Sequence, residues 1–233
     1  MEPMASGTET RGEQHSEAAV GPSATTVTTA TTVDPRELPR AQRERRRRIV
    51  HAALDLLADH EYDAIQVRDI ADAAGVALAT LYRYFSSKEH LYAAVLLEWA
   101  ADYPVGLDRA AGTDPEARIR ALMRRAVRAF ERAPHVMRVV VVLETSDDPN
   151  ARALFDEFAR ANAAVFLDAL RSLDAEIAAS IHFTLNSVMV TRLRSWALGR
   201  ATIPDVNRSI EQSIDLIFSA SPTGVEAVPS TDA

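Results

Sequence analysis

Residues 67–85 place small, flexible and apolar side chains at the spacings that two short, steeply crossing helices require. Such a pair encloses a very small core, so each position is demanding. Ala71 is small where the helices would approach most closely, and Gly75 takes the positive φ of a tight turn at little cost. Val76 and Leu81 plug the space beneath that turn, with Ile70 and Phe85 closing it. The spacing predicts a short helix bearing Val67, Ile70, Ala71 and Ala74, a turn at Gly75 and another helix over 77–84. A generic helix pair ending at a glycine satisfies one of these requirements. All of them together describe a helix-turn-helix, whose second helix lies in the major groove of DNA.

The outward residues suit duplex DNA. Thr80, Tyr82, Tyr84 and Lys88 offer hydroxyl and ammonium donors to phosphate oxygens. Tyr84 has an alternative as a core ring with its hydroxyl at the surface, and Lys88 as an ordinary solvated side chain. Lys88 nevertheless sits in the first turn of a helix, where a nearby phosphate would relieve its conflict with the helix dipole. Ala77, Leu78 and Ala79 cannot donate to bases but can pack on thymine methyls. Upstream, Arg45, Arg46, Arg47 and Arg48 end a stretch, 36–48, holding seven arginines against two glutamates, an excess that the net charge of −7 conceals. They are expected just before the first helix or in its first turn, following the phosphate backbone or entering the minor groove as an arm. A solvated charge run beside a disordered tail is the plainer alternative.

The chain reads as all-α. Residues 1–40, rich in Thr, Ser, Ala, Glu and Pro, and 221–233, rich in Pro, Ser and Thr, are expected as tails without fixed structure. From Gln42 onward apolar residues recur at spacings of three and four, beginning with Ile49, Ala52, Ala53, Leu56 and Leu57. Ser86 and Glu89 have capping-box spacing and predict the start of a long fourth helix through Leu91, Val95, Leu96 and Trp99. Helical patterning continues over 116–132, 135–144, 151–173, 177–198 and 206–218. The expected organisation is a three-helix helix-turn-helix domain over 41–87 and a larger helical ligand-binding and dimerisation domain over 88–220.

The run 80–91, Thr-Leu-Tyr-Arg-Tyr-Phe-Ser-Ser-Lys-Glu-His-Leu, closely resembles the signature of the TetR family of one-component repressors, and the similarity extends over 45–94. The resemblance implies that helices one to three bind DNA and that six further helices bind a ligand and form a dimer. It puts Thr80, Tyr82, Tyr84 and Lys88 on phosphates or nearby bases, and matches Arg68 to a base-reading arginine able to pair with guanine. Residues 41–49, 66–68 and 194–200, with Asp205 and Val206, further resemble the actinobacterial KstR type within that family. That type represses sterol-catabolism genes and responds to coenzyme A thioesters of steroid intermediates. What the resemblance implies is a repressor that binds palindromic double-stranded operator DNA as a homodimer. A small hydrophobic effector, such as a lipid or steroid coenzyme A thioester, would release it.

Trp99, Tyr103, Met137, Phe155, Phe158 and Met189 are candidates for an apolar effector pocket, with His182 and Asn186 as polar groups that need partners. Stripes of this kind also build ordinary cores. Ile181, Leu185 and Val188, with Ile210, Ile214 and Ile217, would pair across a dimer or serve the subunit's own core. The fourth helix is the expected link between effector and DNA.

The chain has no cysteine, which excludes disulfides, thiolate metal sites and cysteine nucleophiles. Its six histidines lack metal-ligand spacing, and no P-loop, paired-histidine or Gly-x-Ser-x-Gly motif occurs. Glu144, Asp147 and Asp148 read as an exposed turn around Pro149 rather than a cation site. With no apolar run of membrane length and no secretory pattern, a cytoplasmic protein without metal or cofactor, and not an enzyme, is expected. The alternatives are a helical small-molecule-binding protein or enzyme without DNA function, and a module that uses its arginines on RNA or an acidic protein.

Overall fold

The computed structural model describes residues 38–102 and 114–219, among which there are nine helices and no strand. The helices are α1 (Arg40–Asp59), α2 (Val67–Ala73), α3 (Leu78–Tyr84), α4 (Lys88–Asp102), α5 (Pro115–Arg132), α6 (Pro134–Glu144), α7 (Pro149–Ala169), α8 (Ala175–Ala197) and α9 (Ile203–Ser219). The expected tails lie outside the described residues apart from 38–40, and so does Tyr103.

Short polar residues and prolines start these helices. Asp114, Asp148 and Asp174 each accept backbone N–H bonds from the first turn that follows, satisfying donors the helix cannot use itself. Pro115 and Pro149 follow two of these caps, where a missing N–H does no harm. At the other ends, Gly75 and Gly199 take φ of +64° and +68°. At Gly75 the Val76 N–H reaches back to the Ala71 carbonyl (3.0 Å) and the Gly75 N–H to that of Asp72 (3.0 Å), a Schellman stop.

Helices α1 to α3 close over Ile49, Ala53, Ile70, Leu81 and Phe85, all essentially without exposure. Helix α4 packs on α1 and on α6 and α7. Residues 91–96 of α4 are accordingly buried without a break, so this helix has no solvent face over nearly two turns. Helix α9 lies against α8 and α5, and Arg120 of α5 is paired there with Glu211 and Asp215 of α9.

Of the two readings open for the α8 and α9 stripes, Ile181, Leu185, Ile210 and Ile214 follow the core one, being buried within the subunit, while Val188 and Ile217 are only half-buried. Among the described residues the large apolar side chains left most exposed are Phe183 on α8, 74%, and Leu216 on α9, 72%, with Leu198 and Ile177 exposed to a lesser degree. The start of α4 is displaced by one residue. Ser87, not Ser86, caps it, accepting from the His90 N–H at 2.9 Å, while Glu89 instead accepts from the Tyr62 hydroxyl. Among the described residues, no helix is long and apolar enough to cross a membrane.

Candidate nucleic-acid interface and effector cavity

The α2–α3 unit turns one set of side chains outward. Arg68 near the start of α2 is exposed, as are Ala77 and Ala79 at the start of α3, and Tyr82 further along it. Thr80 is half-buried between them. Arg83, also exposed, lies one turn after Ala79 and adds a cation that sequence reasoning passed over. Its signal was the helical spacing of three and four from Thr80 and Ala79.

Other expected contacts face elsewhere. Leu78 is half-buried and turns part of its side chain onto the core. Tyr84 also packs on the core, and its hydroxyl oxygen is buried rather than presented to a phosphate. Lys88 donates from Nζ to the carbonyls of Tyr62 (2.5 Å) and Ile65 (2.7 Å), with the ammonium 4.0 Å from the centre of the Tyr62 ring. It ties down the loop between α1 and α2, and two of its three protons are committed there. The dipole conflict is relieved by carbonyls of the protein itself.

The arginine run is likewise redistributed. Helix α1 begins at Arg40, so Arg45, Arg46, Arg47 and Arg48 are helical residues and not an extended arm. Arg45, Arg47 and Arg48 are exposed along α1. Arg46 instead places its guanidinium 5.0 Å from the centre of the Phe85 ring, where burial lowers its pKa against the opposing pull of Glu98.

The turn between α3 and α4 is bonded to the far side of the fold. The Ser86 hydroxyl donates to Asp148 Oδ2 (2.7 Å) and accepts from Asn150 Nδ2 (3.0 Å) at the start of α7. Burial would raise the Asp148 carboxyl, but hydrogen bonds from Ser87, Ser86 and the α7 backbone outweigh it and hold the pKa below its usual value. His90 is buried, and its Nδ1 accepts from the Ser86 backbone N–H at 3.1 Å, which makes it the neutral tautomer with the proton on Nε2. Burial pushes its pKa down to about 4, with Arg46 acting in the same direction and Asp148 against it.

Helices α4 to α8 enclose a cavity of about 300 Å³. Trp99, Met137, Phe155 and Phe158 contribute to its apolar wall, as does Met189, while His182 and Asn186 line it from α8. Glu144 and Asn162 also border it and were not singled out from the sequence for this place. Glu144 is paired with Arg194 of α8, so the acidic group once read as a turn is divided among separate tasks. Asp147 pairs with Arg152, and Asp148 caps α7. No group of side chains suited to holding a metal ion occurs among the described residues.

Residues 49–95 match the family described as bacterial regulatory proteins, tetR family, and residues 112–217 match the tetracyclin repressor-like C-terminal domain. The chain is similar to the HTH-type transcriptional repressor KstR of Mycobacterium tuberculosis, with 30% identity over 181 residues, 76% of this chain and 82% of that protein. Among solved structures, a TetR transcriptional regulator from Rhodococcus sp. RHA1 has a TM-score of 0.64 at 28% identity, covering 79% of this chain and 100% of that one. Thermus thermophilus FadR, solved with lauroyl-CoA, has a TM-score of 0.60 over 81% of this chain and 100% of its own. At 23% identity that likeness carries the fold alone.

Proposed function

The chain belongs to the TetR family of bacterial transcriptional repressors, and from that premise we propose that it binds a palindromic operator as a homodimer and leaves it when a small hydrophobic effector fills the cavity. It is a regulator and not an enzyme. The observation that carries the reading is the joint exposure of Arg68, Tyr82 and Arg83 beside the small side chains of Ala77 and Ala79. A guanidinium can pair with a guanine edge, a hydroxyl and a second guanidinium can hold phosphates, and alanines let the helix approach the bases closely. Arg45, Arg47 and Arg48 extend the positive surface along α1.

In this reading residues 41–87 form the DNA-binding domain and 88–220 the effector and dimer domain. Phe183 and Leu216 meet their counterparts across a two-fold axis and set two reading heads about 34–36 Å apart. The protein acts in the cytoplasm. The resemblance of residues 41–49, 66–68 and 194–200 to the KstR type supports a lipid-like effector, such as a steroid coenzyme A thioester, and the lauroyl-CoA complex of FadR is an instance of this fold accepting an acyl thioester.

The test is binding of the purified protein to duplex DNA from upstream of its own gene, against scrambled duplex, at two salt concentrations. Sequence-selective, salt-sensitive binding that a steroid coenzyme A thioester reverses is expected. Equal weak binding to both duplexes, together with an empty genome-wide selection of bound fragments, would refute it.

A further inference from the structure

Residues 60–66, which join α1 to α2, are gripped from two sides by helices that come later in the chain. On one side α4 holds the backbone. Lys88 bonds the carbonyls of Tyr62 and Ile65, and Tyr92 meets the Tyr62 ring edge-on at 5.0 Å. On the other side α6 holds the acidic side chains. Arg138 brings Nε (3.0 Å) and a terminal guanidinium nitrogen (2.9 Å) to the same oxygen of Asp63, and His135 Nδ1 lies 3.4 Å from Glu61 Oε2. His135 and Arg138 stand three residues apart and share one face of α6. That helix is a firm base, with Val136, Met137, Val139 and Val140 buried. The loop in turn leads into α2 without slack. Its last residue, Gln66, donates its backbone N–H to Asp69 Oδ2 at 3.2 Å and accepts the Asp69 N–H at 3.1 Å, two positions before Arg68 comes a full turn into contact with solvent. Tyr62 and Ile65 are buried, so the loop does not shift as free surface does; moving it moves α2.

We propose that Arg138 is a positioning residue for operator recognition: through Asp63 it fixes the α1–α2 loop, and with it the seat from which Arg68 meets the base pairs. The proposal rests on the regulator reading and on Arg68 facing the operator. Arg138 and Asp63 are both partly exposed, and an exposed ion pair adds little to stability. What this pair adds is direction, because two N–H bonds converging on one oxygen set where the loop stands relative to α6. Recognition is sensitive to that placement. A guanidinium that pairs with a guanine edge tolerates little displacement, since hydrogen bonds weaken steeply away from their preferred distance and angle.

The test is an exchange of charges in the full-length protein, read on the DNA fragments that the parent selects from its own genome. Arg138→Glu reverses a positive charge and Asp63→Arg a negative one. Acting at a distance on phosphates, the two would move operator affinity in opposite directions. Acting through the joint, each should lower it by about fivefold, the upper worth of an exposed ion pair. The double variant Arg138→Glu/Asp63→Arg should return to within about twofold of the parent, because the pair is restored. Discrimination at the base pair read by Arg68 should fall and recover with affinity, while thermal unfolding stays nearly constant. Protein labelled with 15N-lysine reports the loop itself, since Lys88 is the only lysine in the chain. Its Nζ protons should exchange with water faster in both single variants and at the parent rate in the double variant. Opposite shifts in the single variants, no recovery in the double variant, or Lys88 protons unmoved in the single variants would each overturn the proposal. Where the parent binds its operator and the variants bind it equally well, the joint alone fails; where the parent selects no DNA, the regulator reading fails and the proposal with it.

Discussion

The Ser86 hydroxyl donates to Asp148 Oδ2 at 2.7 Å, joining residues 62 positions apart. One end of this bond is the turn that closes the reading helix α3; the other is the cap of α7, which continues past Phe155, Phe158 and Asn162 along the cavity. An effector that displaces α7 therefore pulls on the reading unit directly, in parallel with the route through α4. Ser86→Ala should cost about 1 kcal/mol of stability and leave effector-free operator affinity within about threefold. It should also weaken effector-induced release severalfold, since coupling energies of this kind are typically about 1–3 kcal/mol. Fluorescence anisotropy with and without effector checks this. A full effector response in both Ser86→Ala and Asp148→Asn would leave α4 as the sole lever.

Base reading and phosphate holding separate by salt. Arg68→Ala should lose about 1–3 kcal/mol on the operator and relax discrimination at one base pair. Arg83→Ala should weaken binding to all sequences alike and lower the log–log salt slope by about one. Titrations on operator and single-base variants across a salt series distinguish the two, and identical behaviour would deny Arg68 a base.

His90 predicts an acid-sensitive fold. Its folded pKa of about 4 lies below the unfolded value near 6.5, so on acidification the unfolded chain takes up a proton that the native state refuses. The stability this provides is intact above about pH 6.5 and is lost progressively toward pH 4. At about pH 5.5 the loss relative to pH 7.5 should be about 1.4 kcal/mol. Arg46 and Asp148 face the imidazole from α1 and α7, and protonation of Asp148, whose pKa is also lowered, removes further stability at still lower pH. Urea denaturation of the parent and of His90→Asn, which keeps an acceptor near the position of Nδ1, checks the sign. The variant should be markedly less sensitive over this range.

Phe183→Glu combined with Leu216→Glu should halve the mass seen in sedimentation and reduce operator affinity by more than about tenfold, through loss of the second half-site. Both side chains are largely exposed in the subunit, so its thermal unfolding should change little. A dimer of undiminished stability would place the two-fold axis elsewhere.

Local chemistry made the helices legible. Aspartate caps, prolines in first turns and two glycines with positive φ punctuate the chain, and the periods between them fall within a few residues of the observed helices. Partners were harder to read. Ile181 and Ile210 have the periodicity of a buried face, but periodicity does not say whether the cover comes from this subunit or another. Lys88 is held by carbonyls 23 and 26 residues earlier, and Arg46 by a ring that only folding brings near. The cavity residues on α4, α6, α7 and α8, His182 and Asn186 among them, were recognisable from the sequence, but that they line one shared cavity is seen only once the helices are assembled.

Helix α4 carries a consequence for how such a sensor can change over generations. With residues 91–96 enclosed on all sides, a substitution there disturbs neighbours in both halves of the molecule at once. In the proposed reading the cavity residues of α7 and α8 and the outer face of α3 each meet a different ligand, so substitutions there act on one specificity at a time. Substitutions at the two ends can therefore alter effector or operator preference separately, whereas those in the enclosed span disturb both halves at once. Libraries aimed at retargeting this protein should diversify Asn162, His182 and Asn186 for one specificity, Arg68, Ala79 and Arg83 for the other, and leave that span alone.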